Sequence, residues 1–142
     1  MINNNIWMEL PKTAIEPLSI EILDEKSSSY KIERTFCFSK QFIGFNGHFP
    51  NNPVLPGVVQ ISCVRYMCSL FFNRTLKLLQ IQKVKFIKVI KPNEIFKISI
   101  VIKKVNDYIQ ANFTITSDII KSLQDHIEKE EIIVAKGILY LI

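Results

Sequence analysis

From Leu18 to Leu23, and again from Tyr30 to Phe38, apolar and polar residues alternate with the two-residue period of a strand. The polar run Asp24 to Ser29 between them reads as their turn. Residues 39–54 are punctuated by Gly44 and Gly47, with Gly57 just beyond, and by prolines spaced by three, Pro50, Pro53 and Pro56. Such a stretch is a shaped loop. The period then changes: Val58, Ile61, Val64, Met67, Cys68, Phe71 and Phe72 recur at helical spacing, with no breaker until Asn73 and with Arg65 as the only charge between Val54 and Phe72. Pro56 suits the first helical position, where its missing N–H costs nothing, and a helix so apolar is expected to be buried on several sides. The second half predicts strands over Leu78 to Ile90, Glu94 to Val105, Tyr108 to Thr116 and Glu131 to Leu141, turning at Pro92-Asn93 and Asn106-Asp107. The polar excursion Ser117 to Glu130 is either a short helix or part of a long hairpin. Two strands, a loop, one buried helix and four strands make an α+β chain, an antiparallel sheet packed on a central helix.

Composition narrows the class. A chain of 142 residues, 48% hydrophobic and 22% charged, is expected to form one domain over 1–142 and to bury a core without a disulfide or metal. Its cysteines, Cys37, Cys63 and Cys68, are odd in number, lie in apolar surroundings and lack a ligand spacing, as reduced buried thiols of a cytoplasmic protein would. No segment has the length of uncharged apolar sequence that a membrane helix needs, and MINNNIWMELPK lacks the basic-then-apolar order of an export signal. The net charge of +5 favours an acidic partner. Nucleic acid is not that partner on this reading, because the lysines alternate with Val, Ile and Phe along strands and do not cluster with arginine and aromatics.

The chemistry is concentrated in FNGHFPNNPVLPGVVQI, Phe45 to Ile61. It sets an imidazole, His48, on a proline-stiffened loop that runs into the N-terminus of the apolar helix, whose first turn contains Gly57. Histidine exchanges protons near neutral pH. A helix start offers unpaired N–H groups and the positive end of the helix dipole, and a glycine there lets a carbonyl oxygen approach the backbone. Together they can bind a polarised carbonyl and remove a proton beside it.

This segment resembles the active-site motif of the hotdog-fold 3-hydroxyacyl-[acyl-carrier-protein] dehydratases, on Gly47, His48, Phe49, Pro50, Pro53, Pro56, Gly57 and Val58 in register. KVKFIKVIKPNEIF, Lys83 to Phe96, is similar to the family's strand after the helix, and Pro56-Gly57-Val58-Val59-Gln60 is similar to relatives in aryl-polyene-type pathways. The resemblance implies a hotdog fold, a sheet wrapped around one long helix, and a lyase converting a 3-hydroxyacyl group on acyl carrier protein to the trans-2-enoyl thioester. It implies His48 as the base that takes the C2 proton and the Gly57 N–H as the group that polarises the thioester carbonyl. Phe45, Phe49, Pro56 and Val58 would contact substrate, and Lys88 and Lys91 would dock the acidic carrier. It further implies a homodimer or an oligomer of dimers with shared sites, and no cofactor beyond the carrier's own phosphopantetheine.

One position departs from the pattern. Where these dehydratases carry a Glu or Asp fourteen residues after the histidine, this chain has Ser62, and there is no Asp or Glu from Val54 to Phe72. A serine hydroxyl is a poor acid at neutral pH, although it can hold a water, and losing a general acid costs about 10² to 10⁴ in rate. Glu16, Asp24 and Glu33 are the replacement carboxylates to look for. Besides the dehydratase, two readings remain open: an impaired acyl-thioester-binding subunit that pairs with an active homologue, and an acyl thioesterase. Plainer roles stand beside these. Ser62, Arg65 and Ser69 make a polar helix stripe suited to a dimer face, Cys63 suits a core thiol, and His126 a surface histidine. Lys83, Lys85, Lys88 and Lys91 suit a solvated strand face, and Phe42, Phe45 and Phe49 either line an acyl tunnel or pack beneath the loop.

Overall fold

The computed structural model describes residues 10–42, 45 and 52–142. After one helical turn over residues 10–13, the elements are β1 (Ser19–Asp24), β2 (Ser29–Cys37), α1 (Gly57–Phe72), β3 (Leu78–Phe86), β4 (Ile95–Val105), β5 (Tyr108–Leu123) and β6 (His126–Leu141). The strands form one antiparallel sheet in the order β1-β2-β4-β5-β6-β3, so the strand that follows the helix returns to the far edge. Even-numbered residues of β4 and odd-numbered residues of β5 make the apolar face. Ile98, Ile100, Ile102, Ala111 and Ile115 are all fully buried there, as are Val64, Met67 and Cys68 of α1. Burying a side chain of the size of Ile or Met contributes about 1.5–3 kcal/mol, which is why this face holds the helix.

The turns follow their residues. Asn93 and Asn106 adopt positive φ (66° and 56°), the left-handed conformation that asparagine tolerates better than most residues. Asn73 ends α1 in the same conformation (φ 52°), its N–H donating to the Leu70 carbonyl. Ser69 Oγ then accepts from the Leu76 N–H at 3.1 Å, fixing the chain's exit toward β3.

Several expectations are corrected. Pro56 is the N-cap, in extended conformation, and Gly57 is the first helical residue. The strand predicted to reach Ile90 ends at Phe86, because the Ile87 and Lys88 N–H groups both turn to the Val134 carbonyl. Ile90 is buried, and its carbonyl accepts from the Leu55 N–H at 2.7 Å, tying this segment to the approach to the helix. β1 has the predicted alternation, yet every residue of it is exposed, since it lies at the sheet edge beyond the reach of the helix. The excursion Ser117 to Glu130 is a hairpin: β5 pairs with β4 only as far as Ser117, and from Asp118↔Glu131 to Leu123↔His126 it pairs with β6 alone.

Candidate active site

Gly57 opens α1 with no side-chain cap at its start. Phe86, the last residue of β3, lies directly on it: a Cβ at Gly57 would stand 2.6 Å from Phe86 Cζ. Only glycine allows the ring to sit so close. Phe86 and Gly57 together form a wall shared by two cavities. The first, about 350 Å³, is lined by Leu55, Pro56, Gly57, Gln60 and the segment Phe86 to Val89. The second, about 290 Å³, is almost wholly apolar and is lined by Gly57, Val58, Ile61, Ser62, Arg65 and, from β3, Leu78, Ile81 and Phe86. A larger groove of about 560 Å³, lined by Glu94, Ile95, Lys97, Ser117 and Ile120 among others, is separate from both and shares no residue with them.

Gln60 is buried, 3% exposed, and its Nε2 donates to the Leu55 carbonyl at 3.2 Å. Its Oε1 is sealed from solvent without a hydrogen-bond partner among the described residues. Ser62 is buried as well, and its hydroxyl donates to the Val58 carbonyl one turn back at 2.9 Å. That bond uses the only proton on the oxygen and leaves its lone pairs to accept.

His48, with Gly47, Phe49 and Pro50, lies outside the described residues. Pro56 and Lys88 line the first cavity and Val58 the second, with Val58 55% exposed. Phe45 lines neither cavity; it packs edge-on against Phe42, which in turn packs against Phe38, and all three rings are buried. Lys91 is exposed, its N–H donating to Glu94 Oε2 at 2.8 Å, and it lines neither cavity.

The candidate carboxylates are elsewhere too. Glu33 is on the sheet face opposite the helix, where the Ser99 hydroxyl donates to it and Lys97 (3.6 Å) and Lys31 (4.0 Å) flank it. The Ser99 hydrogen bond, aided by those lysines, holds the Glu33 carboxyl below its ordinary value. Asp24 accepts from Ser27 Oγ and the Lys26 N–H in an exposed turn, which lowers its pKa likewise, and Glu16 meets the Thr35 hydroxyl at 3.4 Å. Among the described residues no carboxylate lines either cavity beside Gly57. Cys63 is a core thiol whose pKa burial pushes far up, as expected for an inert cysteine. His126 is exposed, with Nε2 3.0 Å from Glu128 Oε1. No group of metal-ligating side chains occurs among the described residues, and no helix there is long and apolar enough to cross a membrane.

Comparison with known proteins identifies the lineage. Residues 24–130 match the model of the ApeI-like family, described as ApeI dehydratase. The chain belongs to the ApeI-like dehydratase family. It is 28% identical over 129 residues to the 3-hydroxyacyl-[acyl-carrier-protein] dehydratase FabZ of Pediococcus pentosaceus, covering 83% of this chain and 85% of that one. Against the FabZ of Lactobacillus helveticus it is 36% identical over 70 residues, 44% of this chain and about half (47%) of the relative's length. Its fold is similar to the dehydratase heterocomplex ApeI:P from Xenorhabdus doucetiae (TM-score 0.63, 18% identity, 90% of this chain and 95% of that one). A hexameric hotdog-fold thioesterase of Campylobacter jejuni is a more distant match, with TM-score 0.56, 12% identity, and coverage of 76% and 78%. The fold of this member of the ApeI-like family is therefore the α+β hotdog, as its motif implied.

Two residues that line these cavities, Phe86 and Gln60, have no role assigned by the sequence motifs. Phe86 belongs to the segment Lys83 to Phe96, and nothing local signals that its ring crosses to Gly57. For Gln60 a signal exists: a lone amide between Val59 and Ile61 on an apolar helix, since buried polar groups need partners.

Proposed function

We propose that this chain binds 3-hydroxyacyl thioesters of acyl carrier protein and dehydrates them to trans-2-enoyl thioesters. The observation that carries the reading is the uncapped helix start at Gly57, set between two apolar cavities, in a chain of a dehydratase family. In this reading the thioester carbonyl accepts from the Gly57 N–H, where the helix dipole stabilises the charge that develops on it. His48 takes the C2 proton, the C2–H electrons form the C2–C3 double bond, and the C3–O bond breaks. A water held on the Ser62 lone pairs protonates the departing hydroxyl, and the histidinium returns its proton to the hydroxide, so the net products are the enoyl thioester and one water. The reacting carbons C1 to C3 sit against Gly57 at the wall the two cavities share, the rest of the acyl chain runs into the cavity lined by Ile61, Leu78 and Ile81, and the carrier meets the basic segment at Lys88 and Lys91. The carrier's phosphopantetheine is the only prosthetic group needed, and the protein works in the cytoplasm as a homodimer.

A second reading has its own support: the Ser62 proton is committed to Val58, and no carboxylate from the described residues stands in for the missing acid. In that case the chain holds acyl thioesters and pairs with a homologue that supplies the carboxylate. One experiment separates the two. The purified protein is given 3-hydroxyacyl-carrier substrates of several chain lengths, beside His48→Ala and Ser62→Glu, with products followed by mass spectrometry. Turnover that is abolished by His48→Ala supports the enzyme. An inert native protein with an active Ser62→Glu variant supports the acyl-holding subunit, and no thioester binding by any of the three refutes both.

A further inference from the structure

We infer that the side-chain carbonyl of Gln60 accepts a hydrogen bond from the 3-hydroxyl of the acyl chain, so that Gln60 is the residue by which this site tells a hydroxylated acyl group from a saturated one. The inference rests on the acyl-thioester reading above and adds a specificity residue to it.

Gln60 is 3% exposed, and its amide is fixed at one end only. Nε2 donates to the Leu55 carbonyl at 3.2 Å, while Leu55 is itself held by its N–H bond to Ile90 at 2.7 Å. Exchanging the amide oxygen and nitrogen would set two acceptors against each other, so the open atom is Oε1 and what it lacks is a donor. A buried acceptor left unpaired costs about 1–3 kcal/mol, a cost that an apolar residue of the same size would not carry. The cost is recovered when a ligand brings an N–H or O–H to it.

The position of that donor follows from the helix. Gln60 lies three residues after Gly57, on the same face about 5–6 Å away, and both line the cavity of about 350 Å³. With the thioester carbonyl on the Gly57 N–H, the hydroxyl-bearing carbon is two bonds from the carbonyl carbon, a separation that one helical turn spans. The pantetheine amides lie beyond the sulfur and are common to hydroxylated and saturated chains. The cavity also has a wall that can yield to admit the group: Phe86, Ile87 and Val89 are 47%, 52% and 56% exposed, against 3% each for Leu55 and Gln60 on the opposite side.

The test is equilibrium binding of two pantetheine conjugates of equal chain length, 3-hydroxyacyl and saturated acyl, each with an amide in place of the thioester so that neither reacts. Native protein is expected to bind the hydroxylated conjugate about tenfold tighter, the value of one buried hydrogen bond. Gln60→Leu and Gln60→Met are expected to lose that ratio. A ratio retained in whichever variant folds, or a native protein that binds both conjugates equally, overturns the inference and leaves acyl binding standing. Native protein that binds neither conjugate overturns both.

Discussion

Alanine at Gly137 tests the packing that holds the site's edge strand in place. Gly137 lies on β6 opposite Phe113, and the paired strand β3 comes close to it at the bulge around Val84: a Cβ there would stand 2.4 Å from Val84 Cγ2, 2.9 Å from Val84 Cα and 3.1 Å from Phe113 Cε1. A methyl can rotate away, but Val84 Cα is backbone, so β3 itself must shift. Overpacking of this kind costs about 1–3 kcal/mol, and a clash with backbone belongs at the upper end. For a chain of this size about 3 kcal/mol lowers the unfolding midpoint by roughly 10 °C. Thermal unfolding followed by circular dichroism measures this directly. Adding Val84→Ala to Gly137→Ala removes the closest methyl but not the Cα, so it is expected to restore only part of the loss. The same shift carries Phe86 off Gly57, and acyl binding is expected to weaken in parallel. A Gly137→Ala midpoint indistinguishable from the native one would refute the close approach of the β3 bulge to β6 and the link from that contact to the cavity wall.

Other expectations follow from single contacts. Gly57→Ala displaces the Phe86 ring and is expected to cost about 1 kcal/mol, and Phe86→Ala in the same chain to abolish that cost, a coupling that a double-mutant cycle reads. Because Glu33 has a lowered pKa in the fold, its contribution to stability is present above the ordinary value of 4.5 and is lost as pH falls through the lower folded value. Denaturant titrations of native and Ser99→Ala protein are expected to converge in that acidic range. Burial raises the thiol pKa of Cys63 and pushes that of Cys68 up to about 12, so neither is expected to react with a disulfide reagent at mildly alkaline pH until denaturant is added.

Local signals in the sequence were read correctly where the structure is local. The stop of α1 at Asn73 and the turns at Asn93 and Asn106 depend on a residue that accepts positive φ, and each is visible as an asparagine. The apolar faces of β4 and β5 were legible from alternation alone. What alternation cannot give is which strand the helix reaches: β1 alternates as a half-buried strand would, yet it is wholly exposed. The early end of β3 depends on the Val134 carbonyl, some forty-five residues further along the chain. The site divides the same way. That a helix begins beside Gly57 is legible from the motif, though it starts one residue after Pro56, while the Phe86 ring across it arises from a segment far away in sequence.

The free arm of the β5–β6 hairpin has a consequence for how the molecule opens. Six residue pairs, from Asp118↔Glu131 to Leu123↔His126, extend about 20 Å beyond the last pairing with β4. The arm is joined at its base by Lys97–Glu131 (3.8 Å) and along its length by Lys121–Glu130. An isolated two-stranded ribbon is marginally stable in water, so this arm frays without drawing on the free energy of the core. Amide exchange is therefore graded along single strands, fast beyond Asp118 and slow before Ser117, and trypsin nicks the arm at Lys121 or Lys129 while the sheet and its helix stay folded.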